Sequence, residues 1–369
     1  MMEYTNKYWN MLMPFIKKSL NKRYGKAYTK ALIPKADAEY RDMLNRSDDI
    51  GRDKFSKTAL SEGEKDGECY SLPLYSHAQV MWYRKDLLEE AGLSVPKTWD
   101  EFAEAAKTLT KDGVYGCSFP CGSNDLMATR FLNFYVRSGG GSLLTDDLKA
   151  DLTSDLAIDG IKYWLDIYKN CSPKDSVNYA VLDQANLFYQ GKTAFDFNSG
   201  FQISGVETNS PDLIDQIDCA PLPKLNADDP DYGAETSNIP MVIWRNSKHP
   251  EICKAFMKKL YERDTYIKFL DATPVGMLPS ISGISDTPEY KENETVQKFS
   301  NAVDVITDAM EKGTAIGYEH GPSIQAGFLT SQGIIESMFQ DIITNGTDVK
   351  KAAKTAEKQL NELFSTVQQ

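Results

Sequence analysis

Catalysis at neutral pH calls most often on histidine, and the chain has three: His77, His249 and His320. A hydrolytic centre would set one of them between a nucleophile and an orienting acid. None stands in such a context, and no GxSxG, HExxH, P-loop or GxGxxG pattern occurs. Gly139-Gly140-Gly141 follows a helical stretch instead of opening one, so it reads as a helix stop and not as a phosphate cradle. Acidic pairs such as Asp146-Asp147 and Asp228-Asp229 read as solvated loops. A glycosidase would need two carboxylates about 5 to 10 Å apart across a cleft, a spacing that one sequence does not fix. The six cysteines (Cys69, Cys117, Cys121, Cys171, Cys219 and Cys253) form no CxxC pair and no zinc-ligand spacing. They are expected as buried thiols, and neither metal nor organic cofactor is expected.

Charge and composition narrow the field further. The chain carries 41 basic and 53 acidic residues, a formal charge of −12, so phosphate backbones and anionic lipid surfaces repel it on average. Nucleic acid is therefore not expected as a partner. Its 41% apolar and 25% charged residues are ordinary for a globular protein, and 369 residues suffice for two domains. Apolar runs such as 239–244 fall far short of the roughly 20 residues that span a bilayer. The opening MMEYTNKYWNMLMPFIKK lacks the cationic start, apolar stretch and small-residue cleavage site of a signal peptide, which predicts a chain that stays inside the cell as written.

The elements that would position any site follow from periodicity. Residues 6–24 place Trp9, Leu12, Met13, Phe15 and Ile16 largely on one helical face; an extended stretch at 26–33 and a short helix from Asp37 follow. Residues 69–83 read as a strand entered through an irregular turn at Pro73. Helices are predicted at 85–91, stopped by Gly92, and at 99–109, capped by Thr98. Short strands are predicted at 115–119, 193–197 and 239–244, and helices at 125–138, 155–169, 181–190, 250–262 and 264–271. The last part, 290–369, reads as mainly helical. Strands alternating with helices argue for α/β layering.

The most specific signal is MWYRKDLLEEAGLSVPKTWDEFAEAAKTLT, residues 81–110. Tyr83, Lys85, Asp86, Leu87, Ala91, Gly92, Pro96, Thr98, Trp99, Asp100 and Glu101 resemble the signature of the carbohydrate-type extracellular solute-binding proteins, family 1, of ATP-driven (ABC) importers. Arg84 stands where that signature has asparagine. Physically, Thr98 can accept a free helix amide, Asp100 and Glu101 complement the positive helix end, and Trp99 packs the helix on its sheet. The motif thus marks the family and not the site. Further segments agree in order: Asp66-Gly67 before Tyr70-Ser71-Leu72-Pro73, then FYQGKTAF at 188–195, Pro221-Leu222-Pro223, 247–251, and Gly276-Met277-Leu278-Pro279. Together they cover most of residues 52–369.

The resemblance implies an α/β, two-lobed periplasmic-binding-protein-like fold (type II) with crossing hinge strands and a ligand between the lobes. It maps one lobe to 1–75 and 239–275, the other to 80–233 and 280–369, with hinges near 76–79, 233–238 and 273–279. The implied function is non-catalytic binding of a sugar or oligosaccharide for ABC permease subunits, by a monomer outside the cytoplasm, membrane-anchored or periplasmic. Binding of a polyamine or phosphorylated metabolite, or action as a carbohydrate-active enzyme, are the alternatives. Sugar clefts combine aromatic faces with donor–acceptor groups. The positions the resemblance brings to the ligand are Tyr75 and His77 at the first crossing, and Asn124 and Asp125 after a short strand. Asn198 and Phe201, the latter where relatives carry a stacking tryptophan, follow, with Thr236 and Asn238 at the second crossing, then Tyr318 and Glu319. Plainer readings stand beside these: His77 as a backbone-bonded hinge residue, Asp125 as a helix cap, Phe201 as a core ring. Two departures from the family pattern, the absent signal peptide and first strand and a missing strand and helix between Tyr40 and Phe55, predict an abridged first lobe and weak or no sugar binding by the chain as written.

Overall fold

Val80–Arg84 is buried at every residue, on both faces, so it requires a covered sheet with strands on either side. In the computed structural model, which describes residues 50–65, 68–123 and 125–366, this strand is the centre of a three-stranded sheet. Phe195–Asn198 and Ile217–Ala220 flank it, both antiparallel. The register sets Met81 opposite Phe197 and Ala220, and Trp82 opposite Asp196 and Cys219.

The chain divides into two compact units. One holds the described residues up to Leu74, Ile239–Tyr266 and Ser280–Ser282; the other holds Tyr75–Asn238, Ile267–Pro279 and the residues from Gly283 onward. The three-stranded sheet belongs to the second unit. Helices pack on it through a ring cluster in which Trp164 lies edge-on to Phe131 (4.7 Å), parallel to Phe119 (5.6 Å) and against Trp99 (5.3 Å). Ring pairs of this kind add about 0.5–1.5 kcal/mol each beyond the area they bury.

The helix Trp99–Leu109 shows why its signature identifies a fold and not a site. Thr98 Oγ1 accepts the Glu101 amide at 3.2 Å, and Trp99 is buried against Phe102, Phe197 and Trp164, its Nε1 donating to Ser138 Oγ at 2.8 Å. Other helices follow the predicted pattern with shifted ends: Lys85–Ala91, closed at Gly92, then Met127–Ser138, Asp155–Cys171, Val181–Tyr189, Pro250–Leu260 and Arg263–Leu270. Gly139 ends a helix, as expected, its amide reaching the Val136 carbonyl. The cysteines are free thiols, all but Cys253 buried.

Four strand expectations need correction. The single strand expected at 69–83 is two, Leu72–Ala78 with Pro73 inside it and Val80–Arg84, in different sheets. Residues 115–119 form no strand; Tyr115 makes one parallel bridge to Thr193. The other backbone amides there are taken elsewhere: Gly116 donates to Thr110 Oγ1, Cys117 to the Cys171 carbonyl and Phe119 to Ser172 Oγ. The strand placed at 193–197 lies at Phe195–Asn198, and that placed at 239–244 lies at Thr236–Met241. Beyond Met241, Val242 and Trp244 are exposed and a turn closes from the Ser247 amide to the Trp244 carbonyl, so the apolar run does not continue the ladder.

In the first unit Phe55, Leu60, Leu72, Met257 and Tyr261 are buried, with Phe55 edge-on to Tyr261 at 5.4 Å. Tyr261 and Tyr266 donate their hydroxyls to the Pro73 and Leu74 carbonyls. The elements expected at 6–24, 26–33 and from Asp37 lie outside the described residues. No helix among the described residues is long and apolar enough to cross a membrane.

Candidate functional site

Alternate residues of a strand share a face, so Tyr75 and His77 on Leu72–Ala78 point the same way, with ring centroids 6.4 Å apart. Phe201, the first residue of the helix Phe201–Asn209, closes on both, 6.2 Å from Tyr75 and 6.3 Å from His77. Phe269 adds a fourth ring 6.3 Å from Tyr75. None of Tyr75, His77 and Phe201 is fully buried. Burial foremost, and the nearby Arg130 charge second, push the His77 imidazole down to about 4. It is therefore neutral near pH 7, one ring nitrogen a donor and the other an acceptor. Its Nδ1 has no hydrogen-bond partner.

Polar residues flank these rings in the chain. Ser76 points to the opposite side of its strand, and its hydroxyl donates to Asn238 Oδ1 at 2.5 Å. Its backbone exchanges two hydrogen bonds with Leu278, at 2.9 and 3.0 Å. Residues 76, 238 and 278 thus stand side by side. Asn198 Oδ1 accepts the Ser199 amide at 2.9 Å, and Trp82 Nε1 donates to the Ser199 carbonyl at 2.9 Å, which fixes the turn leading into Phe201.

Behind that turn lies Asp196, 1% exposed. Burial raises its carboxyl to about 6, against the opposing effect of hydrogen bonds from Gln184, Asn198, Gln202 and the Phe197 amide. Gln184 donates at 2.6 Å, and Gln202 makes a short contact. The Oε1 atoms of both glutamines are buried without partners.

Arg130 is the charge that sequence reasoning missed. Its guanidinium makes a bidentate pair with Glu235, 2.7 and 2.9 Å, and both side chains are nearly buried. Burial works against its charge, but Glu235 holds the guanidinium above its ordinary value. The available signal was spacing: Arg130, Asn133 and Arg137 are three and four residues apart on a helix otherwise apolar on that face. Arg137 reaches the Ala234 and Thr314 carbonyls and Glu319, so Glu319 is tied into this polar stripe and also accepts from Ser142 Oγ.

The ten candidate residues are thus not one cluster. Tyr75, His77 and Phe201 come together, with Asn198 on the turn before Phe201 and Asn238 held through Ser76. Thr236 is buried next to Glu235, its hydroxyl without a partner. Both carboxylate oxygens of Asp125 accept backbone amides at 2.7 Å, from Leu126 and from Val181, the first residue of a second helix. Tyr318 packs against the main core of its unit. Asn124 lies outside the described residues.

Chemically, the face offers aromatic surface and a neutral imidazole, and the nearby Arg130 charge is already paired. A histidine-activated nucleophile would need an imidazole hydrogen-bonded to it. His320 Nε2 instead faces the Leu144 carbonyl at 3.3 Å, and His77 Nδ1 faces no partner. Among the described residues no three His, Cys, Asp or Glu side chains could together hold a metal ion.

Comparison with known proteins follows the same direction. The family described as bacterial extracellular solute-binding protein matches residues 16–266. A protein of Brucella abortus (strain 2308), described as a binding protein, is 27% identical over 282 residues, 75% of this chain and 66% of that protein. The match therefore spans just under two thirds of that relative's length. The arabinooligosaccharide-binding protein of Bacillus subtilis (strain 168) is 26% identical over 291 residues, 77% of this chain and 66% of the relative. An ABC transporter solute-binding protein from Thermotoga lettingae, solved with bound α-D-tagatose, superposes with a TM-score of 0.74 at 20% identity, covering 97% of this chain and 96% of that one. The fold is thus the two-lobed α/β periplasmic-binding-protein fold, as expected.

Proposed function

We propose, from the premise that this chain belongs to the family of bacterial extracellular solute-binding proteins, that it captures a sugar or short oligosaccharide and delivers it unchanged to the permease subunits of an ABC importer. One observation carries the sugar reading: the grouping of the Tyr75 and Phe201 rings with the His77 imidazole. Sugar C–H faces lie on aromatic rings, and hydroxyls pair best with groups that both donate and accept. Neutral His77 does both.

The charge distribution favours a neutral solute over the phosphorylated or polyamine alternatives. Arg130, whose charge acts on His77, is satisfied by Glu235 through two charge-assisted hydrogen bonds, and the pair presents no net charge. A phosphate would have to displace Glu235 and leave a buried carboxylate unpaired, which costs several kcal/mol by the rule for broken buried ion pairs, about 3–5.

In this reading the ligand set is Tyr75, His77, Asn198 and Phe201, with Asn238 held by Ser76 on the other side of the strand. Asp125, Thr236, Tyr318 and Glu319 support the surrounding structure, and Asn124 stays a candidate contact. The chain passes between its lobes near 76–79, 233–238 and 273–279. The protein works outside the cytoplasm, as a monomer, and performs no chemistry on its ligand.

Thermal melting of the purified chain with arabinotriose, maltotriose, laminaribiose and tagatose tests the reading, combined with chromatography of the recovered sugar. A sugar at about 100 times its dissociation constant adds about 2.7 kcal/mol to the native state. The expected result is a raised melting temperature with at least one of them and recovery of that sugar intact. Shorter products would make the protein a hydrolase. No shift with any of these sugars, but one with spermidine or glycerol phosphate, would transfer the site to a charged solute.

A further inference from the structure

Val275 is the only β-branched residue among the described ones with a positive φ, +65°. A β-branched side chain is strongly disfavoured in that region, so the conformation persists only where the surroundings impose it. Here the surroundings are informative. Val275 is fully buried, and the turn around it is closed by the Met277 amide donating to the Thr273 carbonyl at 3.1 Å.

Two glycines meet at this turn, each in close approach to a neighbour. A Cβ at Gly200 would lie 2.3 Å from the Val275 carbonyl oxygen and 2.7 Å from its carbon. No side chain fits there, so the Val275 peptide rests directly on the backbone before Phe201. A Cβ at Gly276 would lie 3.2 Å from Cγ and Cδ1 of the Phe201 ring and 2.8 Å from Thr273 Cγ2. The ring of Phe201 therefore packs on the bare backbone of Gly276, while Tyr75 and His77 meet it at centroid distances of 6.2 and 6.3 Å.

We propose that the turn Thr273–Met277 is the seat of the Phe201 ring, and that Gly200, Val275 and Gly276 are positioning residues that set this ring's angle for a sugar face. The assignment rests on the reading of Phe201 as a stacking ring. The seat has a second attachment: one residue past Met277, Leu278 exchanges both backbone hydrogen bonds with Ser76, between Tyr75 and His77 in sequence. The same short segment thus fixes the ring and the strand that carries its two aromatic neighbours. Displacing the segment would tilt all three rings against one another, so their mutual geometry is set by this backbone and not by side-chain packing alone.

The test uses the full chain with Phe201 labelled as 4-fluorophenylalanine. In Gly276→Ala the added methyl meets side-chain atoms, so the variant is expected to fold with the ring displaced and its fluorine resonance moved. Gly327→Ala, where a Cβ meets nothing within 4 Å, serves as the control and leaves the resonance in place. Calorimetric titration with arabinotriose, maltotriose, laminaribiose and tagatose then closes a double-mutant cycle. Gly276→Ala is expected to weaken binding about tenfold, and to add no further loss in a Phe201→Ala background. An unmoved resonance in folded Gly276→Ala, or losses that add fully in the double variant, overturns the seat. A moved resonance supports it even where no sugar of the set binds the unaltered chain, a result that counts against the sugar reading alone.

Discussion

Replacing Asp196 by asparagine should change how stability depends on pH, and the structure gives the size and sign. The carboxyl is buried, and burial raises it from 3.8 to about 6 although Gln184, Asn198 and Gln202 donate to it. A group whose folded pKa is raised contributes most when protonated. Its contribution is complete below the unfolded value and disappears as pH rises through about 6. Integrated between pH 4.5 and 7.5, the loss is about 2 kcal/mol, from about 1.4 kcal/mol per pK unit. The proton has a place to go, since the Oε1 atoms of Gln184 and Gln202 are both buried without partners and a flipped amide can accept it. Asparagine, neutral at every pH and able to donate to the same oxygens, should behave like the protonated form. Urea unfolding of Asp196→Asn and the unaltered chain at pH 4.5, 6 and 7.5 gives the comparison. The variant should gain relative to the unaltered protein as pH rises, by about 2 kcal/mol over this range. A difference that stays constant with pH would refute the reasoning, and one that falls would mean the buried carboxylate is held below its ordinary value.

Two other substitutions probe the frame. Glu235→Ala leaves the Arg130 guanidinium buried and unpaired, so unfolding free energy should fall by about 3–5 kcal/mol in denaturant titration, whereas a loss below 1 would place the pair in contact with water. Thr98→Ala removes the acceptor for the Glu101 amide and should cost about 1 kcal/mol without touching sugar affinity, read from paired melting and binding curves.

Much of the fold was legible because local chemistry and packing agreed. Thr98, Gly92 and the periodic apolar faces mark helix ends and buried sides that the structure keeps. Strands were less legible. At 115–119 the residue types suit a ladder, but Thr110, Ser172 and the Cys171 carbonyl are long-range or side-chain partners that no window of sequence displays. The site divides the same way. Tyr75 and His77 were named from the resemblance at the first crossing and Phe201 from its place after a recognised segment, while their meeting involves the turn at Thr273–Met277, some seventy residues further along the chain. Arg130 was passed over because an arginine on a helix is ordinarily a solvated charge, and only Glu235, 105 residues distant, makes it an internal one. Asp125, open to a capping role from the start, holds two backbone amides, one of them on a helix that sequence proximity does not bring to it.

Calorimetric titration of the unaltered chain and of Phe201→Ala with the same set of sugars tests the central claim most directly. The account predicts saturable binding of at least one sugar by the unaltered chain. In Phe201→Ala, with melting temperature nearly unchanged, binding should be weaker by about tenfold to a hundredfold, the equivalent of about 1–3 kcal/mol for a lost stacking ring. Equal affinity in the two proteins, or a variant that binds normally but melts far earlier, would contradict it and return Phe201 to the core.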